Sequence, residues 1–156
     1  MPPGWDWERG ESLLALDSPE EWDAAFERGE AGLGTAVIGL AFHCPLADVS
    51  PRIVKAMQLP DAGQRGFAFT AAGHAARLNG ELTPELYDAL RAAEGPGGFA
   101  VNAIADTLTF VPFRKLPFWF KRQWVYAAVQ GKLASWWLQS VYAVEDAWRA
   151  VRGRFS

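Results

Sequence analysis

The 156-residue chain is half hydrophobic, carries a formal net charge of −3 and holds one cysteine, Cys44. That length suits a single domain with a sizeable core, and a lone cysteine excludes an internal disulfide and fits a reducing compartment. No apolar run approaches the roughly 20 residues of a membrane-spanning helix, and MPPGWDWERGE has no basic stretch followed by an apolar one, so a soluble, cytoplasmic protein without a signal peptide is expected.

The elements read as helices with punctuated joints. Ser18-Pro19-Glu20-Glu21 is a helix start, with Ser18 as cap, Pro19 at the first helical position and Glu21 completing a capping box; the helix stops near Gly29. LGTAVIGLAF, from Leu33, is ambiguous between helix and strand, and its helical neighbours decide for helix. Ser50-Pro51 restarts the pattern with Ile53, Val54 and Met57 on one face, until Pro60-Asp61 breaks it. A helix begins near Gln64 and closes at Asn79-Gly80, a left-handed stop. Thr83-Pro84 opens another with Leu86, Leu90 and Ala93 in a stripe; Glu94 to Gly98 is a loop, and Phe99 to Val111 is a further helix. After breaks at Pro112 and Pro117, residues 118–130 read as helical with Gly131 as a hinge. Leu133, Trp137, Val141, Val144, Trp148 and Val151 then recur at spacings of 4, 4, 3, 4 and 3, an amphipathic helix. The fold class is all-α.

Charge divides the chain. Residues 1–113 hold 16 Asp/Glu against 7 Lys/Arg, whereas residues 114–156 hold 8 Lys/Arg against 2 Asp/Glu, together with Trp119, Trp124, Trp136, Trp137 and Trp148. We therefore expect an acidic helical array over 1–113 and a basic, Trp-rich extension over 114–156 packed on the same domain. Such asymmetry bears on partners rather than on fold.

LPDAGQRGFAFTAAGHAARLNG resembles a HEAT repeat, the helical hairpin of α-solenoids: Pro60, Asp61, Arg65 and Ala68 match, while Gln64 stands where Val is usual. Asp61 would cap the helix, Arg65 would bond back to the joint, and Ala68, Ala71, Ala72 and Ala75 would permit close packing. GHAARLNG followed by LTPELYDALRAAEGPGGFAVNAIADTL is similar to a short bacterial HEAT-type family, with Ala100, Ala103, Ile104 and Asp106 on its final helix and Gly97 where an arginine is usual. The resemblance covers about residues 35–110. It implies a short HEAT-like helical-hairpin array of the toxin-immunity type; the amphipathic C-terminal helix, read from its periodicity, lies outside it.

Chemistry is weighed against packing. His74 and Arg77 share a helix face, but a catalytic histidine needs an orienting partner and a nucleophile, so His74 reads as a packing or hydrogen-bonding residue, with Arg77 pairing to Asp106. His43 and Cys44 are adjacent, so on a helix they point about 100° apart, and Cys44 reads as a small buried hydrophobe. Two histidines and one cysteine give no zinc spacing, and no nucleotide or hydrolase fingerprint occurs. No catalytic residue, cofactor or metal is assigned. Asp17, Glu20, Glu21, Asp23, Glu27 and Glu30 form an acidic patch suited to a basic protein partner. Trp136, Trp137 and Trp148 read as a terminal cap of the array, as anchors in a partner or homo-oligomer interface, or as part of a membrane-surface helix over 117–152. Nucleic acid is not an expected partner, given the acidic remainder. The expected function is non-catalytic protein binding, an immunity-type inhibitor of a basic toxin or effector; the alternative is a peripheral membrane-associated adaptor.

Overall fold

The computed structural model describes residues 4–95 and 98–131. Those residues are all-helical, without a strand. The chain divides into two compact units, Met1–Leu116 and Pro117–Ser156.

In the first unit a 3₁₀ turn, Glu11–Ala15, precedes α1 (Pro19–Arg28), α2 (Leu33–His43), α3 (Leu46–Ala56), α4 (Ala62–Asn79), α5 (Pro84–Ala92) and α6 (Ala100–Phe110), with a second 3₁₀ turn at Phe113–Lys115. Three helices start as their sequences dictate. Ser18 Oγ accepts from Glu21 N at 3.2 Å, Asp61 Oδ1 from Gln64 N at 2.9 Å, and Thr83 Oγ1 from Leu86 N at 3.4 Å. Gly29 and Gly80 end α1 and α4 at φ of 70° and 64°, where a Cβ would be strained.

One boundary differs from the sequence reading. Ser50-Pro51 does not restart a helix; Pro51 lies inside α3, which begins at Leu46. The proline removes one ladder bond to the Ala47 carbonyl. Val49, Ser50, Ile53 and Ala56 still bury one face, and that burial outweighs the single lost bond. Arg52, one residue on, donates to the Asp48 carbonyl and holds the same turn.

The helices pack as hairpins, each helix also touching the one two places further on. α4 lies between α2 and α6, and α3 between α1 and α5, so even and odd helices form two layers. α2 is the centre: eight of its residues, from Leu33 to Ala41, are buried, against α4, α3, α1 and the first 3₁₀ turn. This explains its missing periodicity, since a helix buried over most of its circumference keeps no polar face to alternate with. The buried Trp22 of α1 donates its Nε1–H to the Leu33 carbonyl at 3.0 Å, clipping α1 to the start of α2. Gly34 allows the closest approach: a Cβ there would sit 2.1 Å from the Gln64 carbonyl oxygen of α4. Trp7, Leu13 and Leu16 close the core from the N-terminal segment.

In the second unit, residues 118–131 are helical, Gly131 included. Trp119 meets Phe120 edge-on at 4.8 Å, and Gln130 Nε2 donates to Tyr126 Oη at 2.8 Å. The stripe from Leu133 to Val151 lies outside the described residues.

Candidate functional site

The structure splits the acidic patch. Glu21 and Glu30 both pair with Arg28, at 3.1 Å each, and Asp23 holds Arg52 through two bonds of 3.0 and 2.6 Å, tying α1 to α3. The Asp23 carboxylate keeps the Arg52 guanidinium firmly protonated. These three carboxylates are neutralised within the fold. Glu20 accepts only from Ser18 Oγ, at 3.3 Å, and the side chains of Asp17 and Glu27 make no ion pair or hydrogen bond among the described residues. Half of the patch is therefore structural, and the outward negative charge of this edge rests on Asp17, Glu20 and Glu27.

Cys44 ends α2 beside that edge. Its thiol donates to the Asp17 carbonyl at 3.4 Å. Burial pushes its pKa up, with Asp17 and Asp48 adding to the effect by repelling a thiolate, so the group stays protonated and weakly nucleophilic at neutral pH. Cys44 is partly rather than wholly buried, so the small buried hydrophobe expected from sequence is corrected to a hydrogen-bonded thiol at a helix end.

The residues quoted for the repeat resemblance are placed by α4 and its joint. Arg65 Nη1 donates to the Leu59 and Pro60 carbonyls at 2.8 and 2.9 Å, closing the joint that Asp61 caps. Half-buried His74 lays its ring on Phe42 of α2, with centroids 4.8 Å apart. Arg77 does not pair with Asp106. It lies over the Phe110 ring at 5.5 Å, whereas Asp106 is set one turn back along α4, against Gly73. A cation over an aromatic face here replaces the expected ion pair.

Asp106 belongs to a groove of about 540 Å³ between α4 and α6. Phe67, Phe69 and Thr70 line it from α4, and Phe99, Asn102 and Asp106 from the α6 side. Phe69 and Phe99 stack at 6.2 Å, while Phe67 and Phe99 are 44 and 50 % exposed. Gly66 and Gly73 open the furrow. A Cβ on Gly66 would press on the Phe99 ring at 3.1 Å, and one on Gly73 would meet Asp106 Oδ2 at 2.5 Å. Half-exposed aromatic rings beside a carboxylate offer apolar contact area together with one charged acceptor, an arrangement suited to binding.

The groove escaped the sequence reading because its phenylalanines look like core residues in an apolar helix. Gln64 also escaped it, although its signal was visible as the departure from the repeat pattern. Its Oε1 accepts from Gly34 N at 2.7 Å and Thr35 N at 3.1 Å, capping α2, whose own cap residue Gly32 has no side chain to do so. No protein-family model, curated protein or solved structure matches the chain. Among the described residues no group of three or more His, Cys, Asp or Glu is arranged to hold a metal, and no helix is long and apolar enough to cross a membrane. Trp136, Trp137 and Trp148 lie outside the described residues.

Proposed function

We propose that the chain is a non-catalytic protein-binding module, an immunity-type inhibitor of a basic toxin or effector in the bacterial cytoplasm. The observation that carries this reading is the aromatic groove between α4 and α6, set in a unit with 16 Asp/Glu against 9 Lys/Arg over residues 1–116. Half-exposed aromatic side chains grouped on one face favour partner burial, and a negative unit favours a positive partner. The order α2–α4–α6 in one layer and α1–α3–α5 in the other supports a HEAT-like stacking of hairpins, an architecture that presents one helix layer to partners. In this reading Asp17, Glu20 and Glu27 steer the encounter, the groove supplies buried contact, and Trp136, Trp137 and Trp148 add anchors. The test is affinity capture from a native lysate at low and high salt, beside an F67A/F99A double variant. The expected result is a basic protein retained by the wild type, released by salt and lost from the variant. Capture of no specific protein at low salt would overturn the reading.

A second reading, a peripheral membrane-associated adaptor, is favoured by one observation in helix 118–131. Phe118, Val125 and Val129, which are 76, 47 and 48 % exposed, recur at helical spacing with Arg122 among them. Apolar groups flanked by a cation suit an anionic lipid surface. Sedimentation of the intact chain with phosphatidylserine vesicles at low salt is expected under this reading; retention in the supernatant would remove it.

A further inference from the structure

Building on the protein-binding reading, we infer that the α4–α6 groove receives a cationic side chain, an arginine or lysine carried by the partner. Three features of the groove converge on that chemistry. Asp106 is the one ionisable residue among those that line it. Its carboxylate makes no ion pair or side-chain hydrogen bond among the described residues, because Arg77, the cation nearest along α4, is engaged over Phe110. Phe67, Phe69 and Phe99 supply the ring faces that attract a cation, and the Asn102 side chain, one helical turn before Asp106, adds an acceptor.

Charge decides between occupants. An anion would be repelled by Asp106 within an already acidic unit. A purely apolar side chain would cover the carboxylate and leave it desolvated without a partner, which is costly. A guanidinium or ammonium satisfies Asp106 by a charge-assisted bond while its aliphatic stem lies along the rings. The furrow of about 540 Å³ has room for such a side chain, and the half-exposed Phe67 and Phe99 extend apolar surface for the chain that bears it. Gly73 holds the device open, since a Cβ there would fall 2.5 Å from Asp106 Oδ2 and push the carboxylate out of place.

The test is a titration of the full ¹⁵N-labelled chain with N-acetyl-arginine methylamide, and with N-acetyl-glutamate methylamide as the anionic control. The arginine probe is expected to shift the amides of Thr70, Gly73 and Asn102 saturably, and the glutamate probe to leave them unmoved. D106N, nearly isosteric, is expected to weaken the probe roughly tenfold, the size of a lost charge-assisted bond. G73A is expected to do the same through displacement of the carboxylate, so a folding defect in one variant leaves the other to decide. Groove amides that ignore the arginine probe, or that respond in D106N and G73A as strongly as in the wild type, would overturn the inference. So would an arginine response confined to the edge at Asp17, Glu20 and Glu27. The titration needs no natural partner, so it stands apart from the capture experiment: a captured partner bound equally by D106N would sink the groove assignment alone.

Discussion

Gln64 shows how one side chain can join two helices. Its amide oxygen supplies α2 with the N-terminal cap that Gly32 cannot provide, and its own backbone touches α2 at Gly34. Gln64→Ala leaves two amide donors at the start of a buried helix unpaired, and is expected to cost about 1–2 kcal/mol, read as a lower midpoint in urea unfolding at an unchanged slope. Cys44 and Tyr87 make a pH prediction. Burial raises the pKa of both groups above the ordinary values of 9.0 and 10.0, and it is the larger cause in each case. Tyr87 Oη also accepts from Leu82 N, at 3.2 Å, which pulls in the opposite direction. The unfolded thiol and phenol therefore lose their protons at lower pH than the folded ones. Stability from these groups is fully present below pH 9.0 and is expected to decline as pH rises through the two ordinary values toward the raised ones. Denaturation midpoints measured from pH 7 to 11 check this, and Cys44 alkylation should show its half-point above pH 9.0.

At the scale of the element, α2 and α3 show burial overruling local preference. The glycines and β-branched residues of LGTAVIGLAF are modest helix formers. The segment is helical because the surrounding elements bury eight of its residues, and its glycines let them come close. Gly34→Ala would place a methyl against the backbone of α4 at 2.1 Å, where no flexible side chain can yield. We expect destabilisation of about 3 kcal/mol, the upper range for overpacking, from chemical denaturation. Native-state hydrogen exchange should find its slowest amides in α2 and the facing part of α4, with the N-terminal 3₁₀ turn opening earlier. α3 makes the matching point, since Pro51 is tolerated where an apolar stripe on either side of it is packed.

Across the whole molecule, charge is the feature that bears on association. The first unit is acidic even though its strongest internal pairs remove Glu21, Asp23 and Glu30 from the outward field. Under the proposed function, steering of a basic partner is consequently expected to depend on Asp17, Glu20 and Glu27. Raising ionic strength from about 0.05 to about 0.5 M should slow association roughly tenfold or more while altering dissociation little. Neutralising those three carboxylates together should reproduce much of that loss, whereas neutralising Asp23 should lower stability instead. Stopped-flow association and thermal unfolding separate the two effects.

What the sequence by itself determined was local: Ser18, Asp61 and Thr83 as caps, Gly29 and Gly80 as stops, and the helical segments between them. Such signals act within one turn of backbone, so a single stretch of chain contains them in full. Tertiary structure decided which polar groups meet. Arg77 faces Phe110 and not Asp106, Asp23 is used up by Arg52, and Gln64 caps a helix thirty residues upstream. It also decided that Phe67 and Phe99 stand half in solvent, although their surroundings in the chain read as core. Periodicity reports that a face is apolar. Only the packing of α4 against α6, through the small residues between them, determines whether that face is covered or lines a groove.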